Sequence, residues 1–147
     1  MLSCHFQAIS QERTLPPVTV TATTNVTKAV SASCEQAFPD ALETQWYKMN
    51  KKYLASFMAN DQRNSALFRA NGQIVYYISY GFEKDIPKDT RMIVRTHYPD
   101  YAITKAINVK QQDRDIWVIN VEDKKKLILV RIEESELEEV GNFDKTM

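Results

Sequence analysis

The stretch "QAFPDALETQW" at residues 36–46 is echoed by "THYPDYAITKA" at residues 96–106. Each copy contains an aromatic residue followed by proline and aspartate, Phe38-Pro39-Asp40 and Tyr98-Pro99-Asp100. Proline cannot continue a helix and aspartate favours a turn, so each motif predicts the end of a helix. The recurrence at an offset near sixty residues predicts two copies of one structural unit.

Apolar residues with helical spacing precede both motifs. Val26, Val30, Cys34 and Ala37 recur every three or four residues after Asn25, an acceptable N-cap, and predict a first helix over 26–38. The second helix is predicted to begin at Pro87 and to end before Pro99. Its predicted apolar face consists of Ile86, Thr90, Ile93 and His97.

Aromatic and β-branched runs separated by polar turns follow each helix. They predict four strands after the first helix, at 45–48, 52–59, 65–70 and 73–80. Three more are predicted after the second helix, at 103–109, 115–121 and 126–132, with a turn at 122–126. The predicted fold class is α+β: tandem half-repeats of a helix and an antiparallel meander, with the helices packed on one face of the sheet.

The first 25 residues have the composition of a leader and linker. "CHFQA" at residues 4–8 resembles the end of a signal peptide, which predicts export to the periplasm or the cell exterior. Within "PVTVTAT" at residues 17–23, apolar residues alternate with threonine, which predicts a strand at the sheet edge. A single folded domain is predicted over 26–147, with halves at about 26–82 and 83–147.

Composition excludes several function classes. The 19 basic and 19 acidic residues cancel, so nothing favours a nucleic acid as partner. Only three glycines occur, which argues against glycine-rich phosphate loops, and no cofactor is expected. No apolar run approaches the roughly 18 residues of a spanning helix, so an integral membrane protein is not expected.

One ordered set of residues runs through both halves: Phe38-Pro39-Asp40-Ala41, Trp46, Tyr53, Ala55, Phe57, Ala66, Phe68, Gly72, Pro87 and Tyr98. This order resembles the PepSY-like and β-lactamase-inhibitor-like (BLIP-like) proteins, small periplasmic or secreted proteins of bacteria. The resemblance covers about residue 28 to the C-terminus and implies helices on one face of an antiparallel sheet, export, and binding of another protein rather than catalysis. The acidic ending "RIEESELEEVGNFDK" departs from the pattern.

Two candidate chemical sites have simpler explanations. Cys34 and His97, near the ends of the two helices, could form a nucleophile and base, but Cys34 suits a buried helical position and His97 suits a helix C-terminus. Residues 132–144 hold six carboxylates, but their spacing fits no calcium loop, and a solvated edge or tail explains them. No catalytic residue and no metal ligand is therefore predicted.

The sheet face opposite the helices is the candidate binding surface. In the first half, alternation places Ala55 and Phe57 toward the helices. The second half is apolar on both faces, so its register is inferred from the repeat, with Ile116 and Val118 toward the helices. This register predicts a binding face made of Trp117, Ile119, Ile128 and Val130, extended into the first half by Met58 and Tyr77.

The sequence thus predicts an exported, non-enzymatic domain that binds a protein partner, or a second copy of itself, through this face. Its target would be an envelope protein or a peptidase. The alternative is a carrier of small apolar ligands, with a pocket between helices and sheet.

Overall fold

A computed structural model describes residues 19–146, and it contains one nine-stranded antiparallel sheet whose strands neighbour one another in chain order. The predicted α+β class is confirmed. The chain runs through one strand, then a helix and four strands, then a second helix and four strands. The elements are β1 Val20–Thr23, α1 Lys28–Ala37, β2 Leu42–Met49, β3 Lys52–Ala59, β4 Gln62–Arg69, β5 Ile74–Gly81, a 3₁₀ turn Glu83–Asp85, α2 Lys88–His97, β6 Ala102–Gln111, β7 Arg114–Glu122, β8 Lys126–Glu133 and β9 Glu136–Asp144.

The two aromatic-proline-aspartate motifs end their helices with the same hydrogen bonds. The backbone N–H of Phe38 donates to the carbonyl oxygen of Cys34, and that of Tyr98 donates to Val94, both at 2.8 Å. Three positions after each aromatic residue, a backbone N–H donates to the aromatic residue's carbonyl oxygen, at 3.1 and 3.2 Å. The motif therefore stops the helix and turns the chain into the next strand, as the sequence predicts.

The start of α1 is fixed by Thr27 rather than by Asn25. The backbone N–H of Val30 donates to Thr27 Oγ1 at 3.1 Å, and the Thr27 hydroxyl donates to the carbonyl oxygen of Ala70 at 2.8 Å. Thr27 thus caps the helix and ties it to the β4–β5 turn. Gly72 in that turn has φ +94°, and a Cβ there would lie 2.7 Å from a carbonyl oxygen of α1. Only glycine fits this close approach.

Each helix packs over its own group of strands. Val30 and Cys34 of α1 contact buried residues of β3 and β4, including Phe57 and Phe68. Val94 of α2 contacts buried residues of β6, β7 and β8. Both helices pack against side chains of one face of the sheet.

The face of α2 that contacts the sheet differs from the predicted one. Val94, which was left out of that face, is completely buried, whereas His97 is exposed. Ile86 is buried as predicted, but it lies before the helix begins. The predicted face is therefore rotated relative to the true one.

All seven strands predicted to follow the two helices are present, and the predicted 52–59 coincides with β3. Strand β9 was not predicted, because its carboxylates suggested a solvated edge or tail. It is the last strand of the sheet and pairs only with β8, so its outer side faces solvent and tolerates charge.

The predicted edge strand is confirmed for residues 20–23, which pair with β2. The sheet therefore includes residues ahead of the predicted domain boundary at 26. The predicted leader "CHFQA" and residues 17–18 of the predicted strand lie outside the described residues. Among residues 19–146, no helix is long and apolar enough to cross a membrane.

We expect Phe38→Ala to lower the free energy of unfolding by about 2 kcal/mol or more. The Phe38 ring lies 4.9 Å from that of Phe57 and 4.6 Å from that of Tyr77, so truncation leaves a cavity between helix and sheet. Denaturant unfolding monitored by circular dichroism measures the change. Phe82→Ala is the matched control, because Phe82 is 59% exposed and its loss should change stability by less than about 0.5 kcal/mol. Equal losses in the two variants would contradict the assigned role of Phe38.

Candidate functional site

The register predicted for the second half of the sheet is wrong by one residue. Ile119 and Val130 are completely buried and Ile128 is 4% exposed, all in the cluster that contacts α2. Trp117 is half-buried and packs against the same cluster. These four residues therefore face the helix, and they cannot form an open binding surface.

The spacing of the two motifs could have shown the correct register. Their offset is 60 residues, since Phe38 corresponds to Tyr98. The same offset relates Phe57 to Trp117 and Phe68 to Ile128, which are all helix-facing. The register predicted from the sequence instead matches Ala55 to Ile116, an offset of 61 residues. A slip of one residue moves every side chain of a strand to the opposite face.

Of the two residues predicted to extend the face, one is placed correctly. Met58 lies on the side away from the helices and is 36% exposed. Tyr77 lies on the helix side, where its ring contacts Phe38. Its hydroxyl donates to Oδ1 of Asn64 at 3.1 Å.

We call the side of the sheet away from α1 and α2 the helix-free face. Cross-strand pairing defines it: Leu54 is opposite Leu67, which is opposite Tyr76, across β3, β4 and β5. A second row continues from β5 to β7. In this row Ile78, Val109 and Ile116 lie opposite one another. Apolar side chains therefore connect the first half of the sheet to the second half without interruption.

The middle of the helix-free face is shielded although no helix among the described residues covers it. Leu67 is 7% and Ile116 9% exposed, because neighbouring side chains on the same face surround them. Tyr80 remains 38% exposed. Burial raises the pKa of Tyr76, and the nearby Tyr80 phenol adds to this shift. The face thus combines a closely packed apolar centre with accessible aromatic residues.

Ion pairs border this face where β7 begins and β8 ends. The Arg114 guanidinium donates two hydrogen bonds to the Glu133 carboxylate, at 2.8 and 2.9 Å. Arg131 donates to Glu133 as well and lies 3.6 Å from Glu138. The Arg114 hydrogen bond and the two positive charges lower the pKa of Glu133 to about 2. The cations of this part of the face are therefore already neutralised.

Cys34 and His97 are not brought together. Cys34 of α1 is buried between this helix and the sheet, where burial and the nearby Glu35 raise the pKa of its thiol. His97 is exposed at the end of α2, with Nδ1 2.9 Å from the carbonyl oxygen of Ile93. A buried protonated thiol is a poor nucleophile, so this arrangement does not provide the predicted pair.

The remaining candidates for a functional site are a metal centre and a ligand pocket. Residues 19–146 contain no group of three or more histidine, cysteine, aspartate or glutamate side chains able to hold a metal ion. A cleft of about 260 Å³ lies between α1 and β2, beside Cys34 and Trp46. It is smaller than the roughly 300 Å³ at which ligand pockets usually begin, and Glu35 and Thr44 contribute to its lining. A larger cleft of about 420 Å³ lies between the start of α2 and the ends of β7 and β8, where charged residues such as Arg114 and Glu133 line it.

Comparison with known proteins identifies the fold. No family model matches the sequence, and no curated protein matches it. A BLIP-like protein from Bacteroides fragilis superposes with a TM-score of 0.66 at 14% identity, over 83% of this chain and 88% of that chain. A DUF2874 family protein from Bacteroides ovatus has a TM-score of 0.65 at 15% identity, over 83% and 89%. A Bacteroides eggerthii protein, provisionally described as periplasmic, has a TM-score of 0.62 at 14% identity, over 82% and 89%.

These likenesses show that the chain has the fold of BLIP-like and DUF2874 proteins, so the resemblance to BLIP-like proteins is confirmed for the fold. The resemblance to PepSY-like proteins stays a prediction. None of the three descriptions names an enzyme.

We expect Trp117→Ala to lower the free energy of unfolding by about 2 kcal/mol or more, because the indole packs against the core beneath α2. The midpoint of denaturant unfolding measures this change. Val118→Ala provides the matched comparison, since Val118 is half-buried on the helix-free face of the same strand and should cost less. An unchanged midpoint for Trp117→Ala would restore the register predicted from the sequence.

The ion pairs of Glu133 predict an acid-dependent loss of stability. Its folded-state pKa of about 2 lies below the ordinary value of 4.5, so its stabilising contribution is present above pH 4.5 and is lost as the pH falls toward 2. Glu133→Gln should remove this part of the pH dependence. Thermal melts between pH 2 and 7 test this, with Glu134→Gln in the adjacent turn as control. Parallel pH profiles for wild type and Glu133→Gln would refute the assignment.

Proposed function

We propose that this chain is an exported, non-enzymatic protein-binding domain that engages its partner through the helix-free face of the sheet. The observation that carries the proposal is the apolar row that crosses this face from β3 to β7, uncovered by any helix of the described residues. The row itself is largely shielded, with Leu67 7% and Ile116 9% exposed, and the accessible side chains beside it are Tyr80 and Met58, 38% and 36% exposed.

A macromolecular partner suits this surface better than a small ligand. The apolar residues form an extended sheet face rather than an enclosed cavity, whereas small-molecule sites are concave and bury most of the ligand. Buried residues such as Val30 and Phe68 fill the space between α1 and the sheet, apart from the cleft of about 260 Å³ beside Cys34 and Trp46. Accessible tyrosine and methionine at the border, Tyr80 and Met58, are residue types enriched at protein interfaces.

Export is part of the proposal. It is supported by the leader-like "CHFQA" of the sequence and by the provisional periplasmic description of the Bacteroides eggerthii protein of the same fold. An exported protein-binding domain would act on a protein of the cell envelope, and an inhibitory or regulatory action on a peptidase is one form of this. A second copy of the chain is the other partner that this face could accept.

We expect Tyr80→Ala to weaken partner capture by more than tenfold without changing the unfolding midpoint. Tyr80 is 38% exposed and lies beside the apolar row, and truncation of an aromatic anchor commonly costs about 2 kcal/mol of binding. Tagged protein is mixed with native envelope extract, and captured proteins are quantified by mass spectrometry. Light scattering of the purified protein reports capture of a second copy.

Met92→Ala is the control for this experiment. Met92 is a large apolar residue, 56% exposed, on α2, which lies on the opposite side of the sheet. Equal capture by wild type, Tyr80→Ala and Met92→Ala would contradict the proposed binding face.

A further inference from the structure

One corner of the helix-free face carries two like charges directly opposite each other. Lys52, the first residue of β3, is the cross-strand partner of Arg69, the last residue of β4. Lys52 is two residues before Leu54 on β3, and Arg69 is two residues after Leu67 on β4. Side chains two residues apart on a strand point to the same face, so both cations lie on the helix-free face. Like charges at directly opposed positions destabilise a sheet, whereas opposite charges stabilise it. The fold therefore keeps an unfavourable pair at this corner.

No carboxylate of the described residues neutralises this pair. None of the seven ion pairs within residues 19–146 includes Lys52 or Arg69. In the first half, the carboxylates nearest to this pair along the sheet are Glu43 of β2 and Asp61 of the β3–β4 turn. Both lie at the opposite end of these strands, roughly 20 Å away at about 3.3 Å per residue. Exposed Lys51 in the adjoining turn adds a third cation.

The corresponding corner of the second half is built differently. Where β7 begins and β8 ends, the two charged residues are Arg114 and Glu133, joined by two hydrogen bonds. Arg114 and Glu133 are diagonal neighbours of opposite charge, whereas Lys52 and Arg69 are directly opposed and of like charge. Lys52 and Arg69 stand directly opposite each other, whereas Arg63 and Lys105, the other cations of this face outside the ion pairs, each stand alone and away from this corner.

Apolar side chains adjoin this basic corner. Met49 is the cross-strand partner of Lys52, and the Leu54 and Leu67 pair is the next row inward on the face. A ligand that covers the corner would therefore meet cations and apolar surface together. Buried and partly desolvated charge contacts are stronger than fully hydrated ones, so this setting favours a ligand with both kinds of group.

We propose that the corner formed by Lys51, Lys52 and Arg69 binds an acidic segment of the protein partner that also carries apolar or aromatic side chains. This inference rests on the proposed function and assigns the chemistry of the partner. Charge complementarity supports it, since carboxylates would relieve the repulsion between Lys52 and Arg69. A long polyanion fits less well, because the net charge is zero and β1, the edge strand on this side of the sheet, carries no cation that would extend the basic surface.

The test uses a random copolymer of glutamate and tyrosine as the probe, with a copolymer of lysine and tyrosine as the probe of opposite charge. Binding is measured by fluorescence anisotropy of labelled copolymer at low and at physiological ionic strength. We expect the acidic copolymer to bind and the basic one not to bind. Lys52→Glu/Arg69→Glu should weaken binding by about tenfold or more, and salt should weaken wild-type binding.

Lys124→Glu/Lys125→Glu is the matched control. It makes the same change in net charge at the β7–β8 turn, which lies at the opposite end of the sheet. It should leave binding within about twofold of wild type. Equal weakening by the two double variants would show a response to net charge alone and would overturn the inference.

The single variant Arg69→Glu separates binding from folding. It places a carboxylate opposite Lys52, so the unfolding midpoint should rise or stay constant while binding of the acidic copolymer falls. A fall in both the unfolding midpoint and the binding would indicate a structural role for Arg69 and would contradict the inference. Tighter binding of duplex DNA than of the acidic copolymer would also overturn it. Either failure leaves the Tyr80→Ala capture experiment unaffected, so the face and the chemistry of its partner are tested separately.

Discussion

The structure depends on covering one face of a nine-stranded sheet with two helices of ten residues each. Side chains alternate between the two faces of a strand, so each strand supplies one set of residues to the helices and another set to the opposite side. Two short helices bury one face only. The second face therefore has to be stabilised by contacts among its own side chains, and no helix of the described residues covers it.

The aromatic residues that end the two helices also pack against the strands. Phe38 and Tyr98 each stop a helix with a backbone hydrogen bond of 2.8 Å, and each side chain then packs on the helix-covered side of the sheet. The aromatic residue thus joins helix termination to core packing in one position. This explains why the motif recurs with an aromatic residue before proline, although the two aromatic residues differ.

The two edges of the sheet are protected in different ways. Strand β9 has carboxylates along its length, and Glu138 and Glu139 contact Arg131 and Tyr98. Charges on an edge strand discourage pairing with another sheet. Strand β1 has no charged residue and is only four residues long, so its protection lies in its shortness. An acidic edge that looks like a tail in the sequence is therefore a structural element of the sheet.

The sequence by itself determined the fold class, both helix terminations and eight of the nine strands, because these follow from local rules: proline ends a helix, turn residues end a strand, and apolar spacing identifies each element. It did not determine which side chains of β7 and β8 face α2. Residues 127–130 are apolar at every position, so alternation carries no information about their register, and a slip of one residue exchanged the core for the surface. Only the tertiary structure decided this, since the contacts of Val94 with Ile119 and Val130 exist only when α2 lies on the sheet. The opposition of Lys52 and Arg69 was decided in the same way, because residues 17 positions apart become neighbours only through the pairing of β3 with β4.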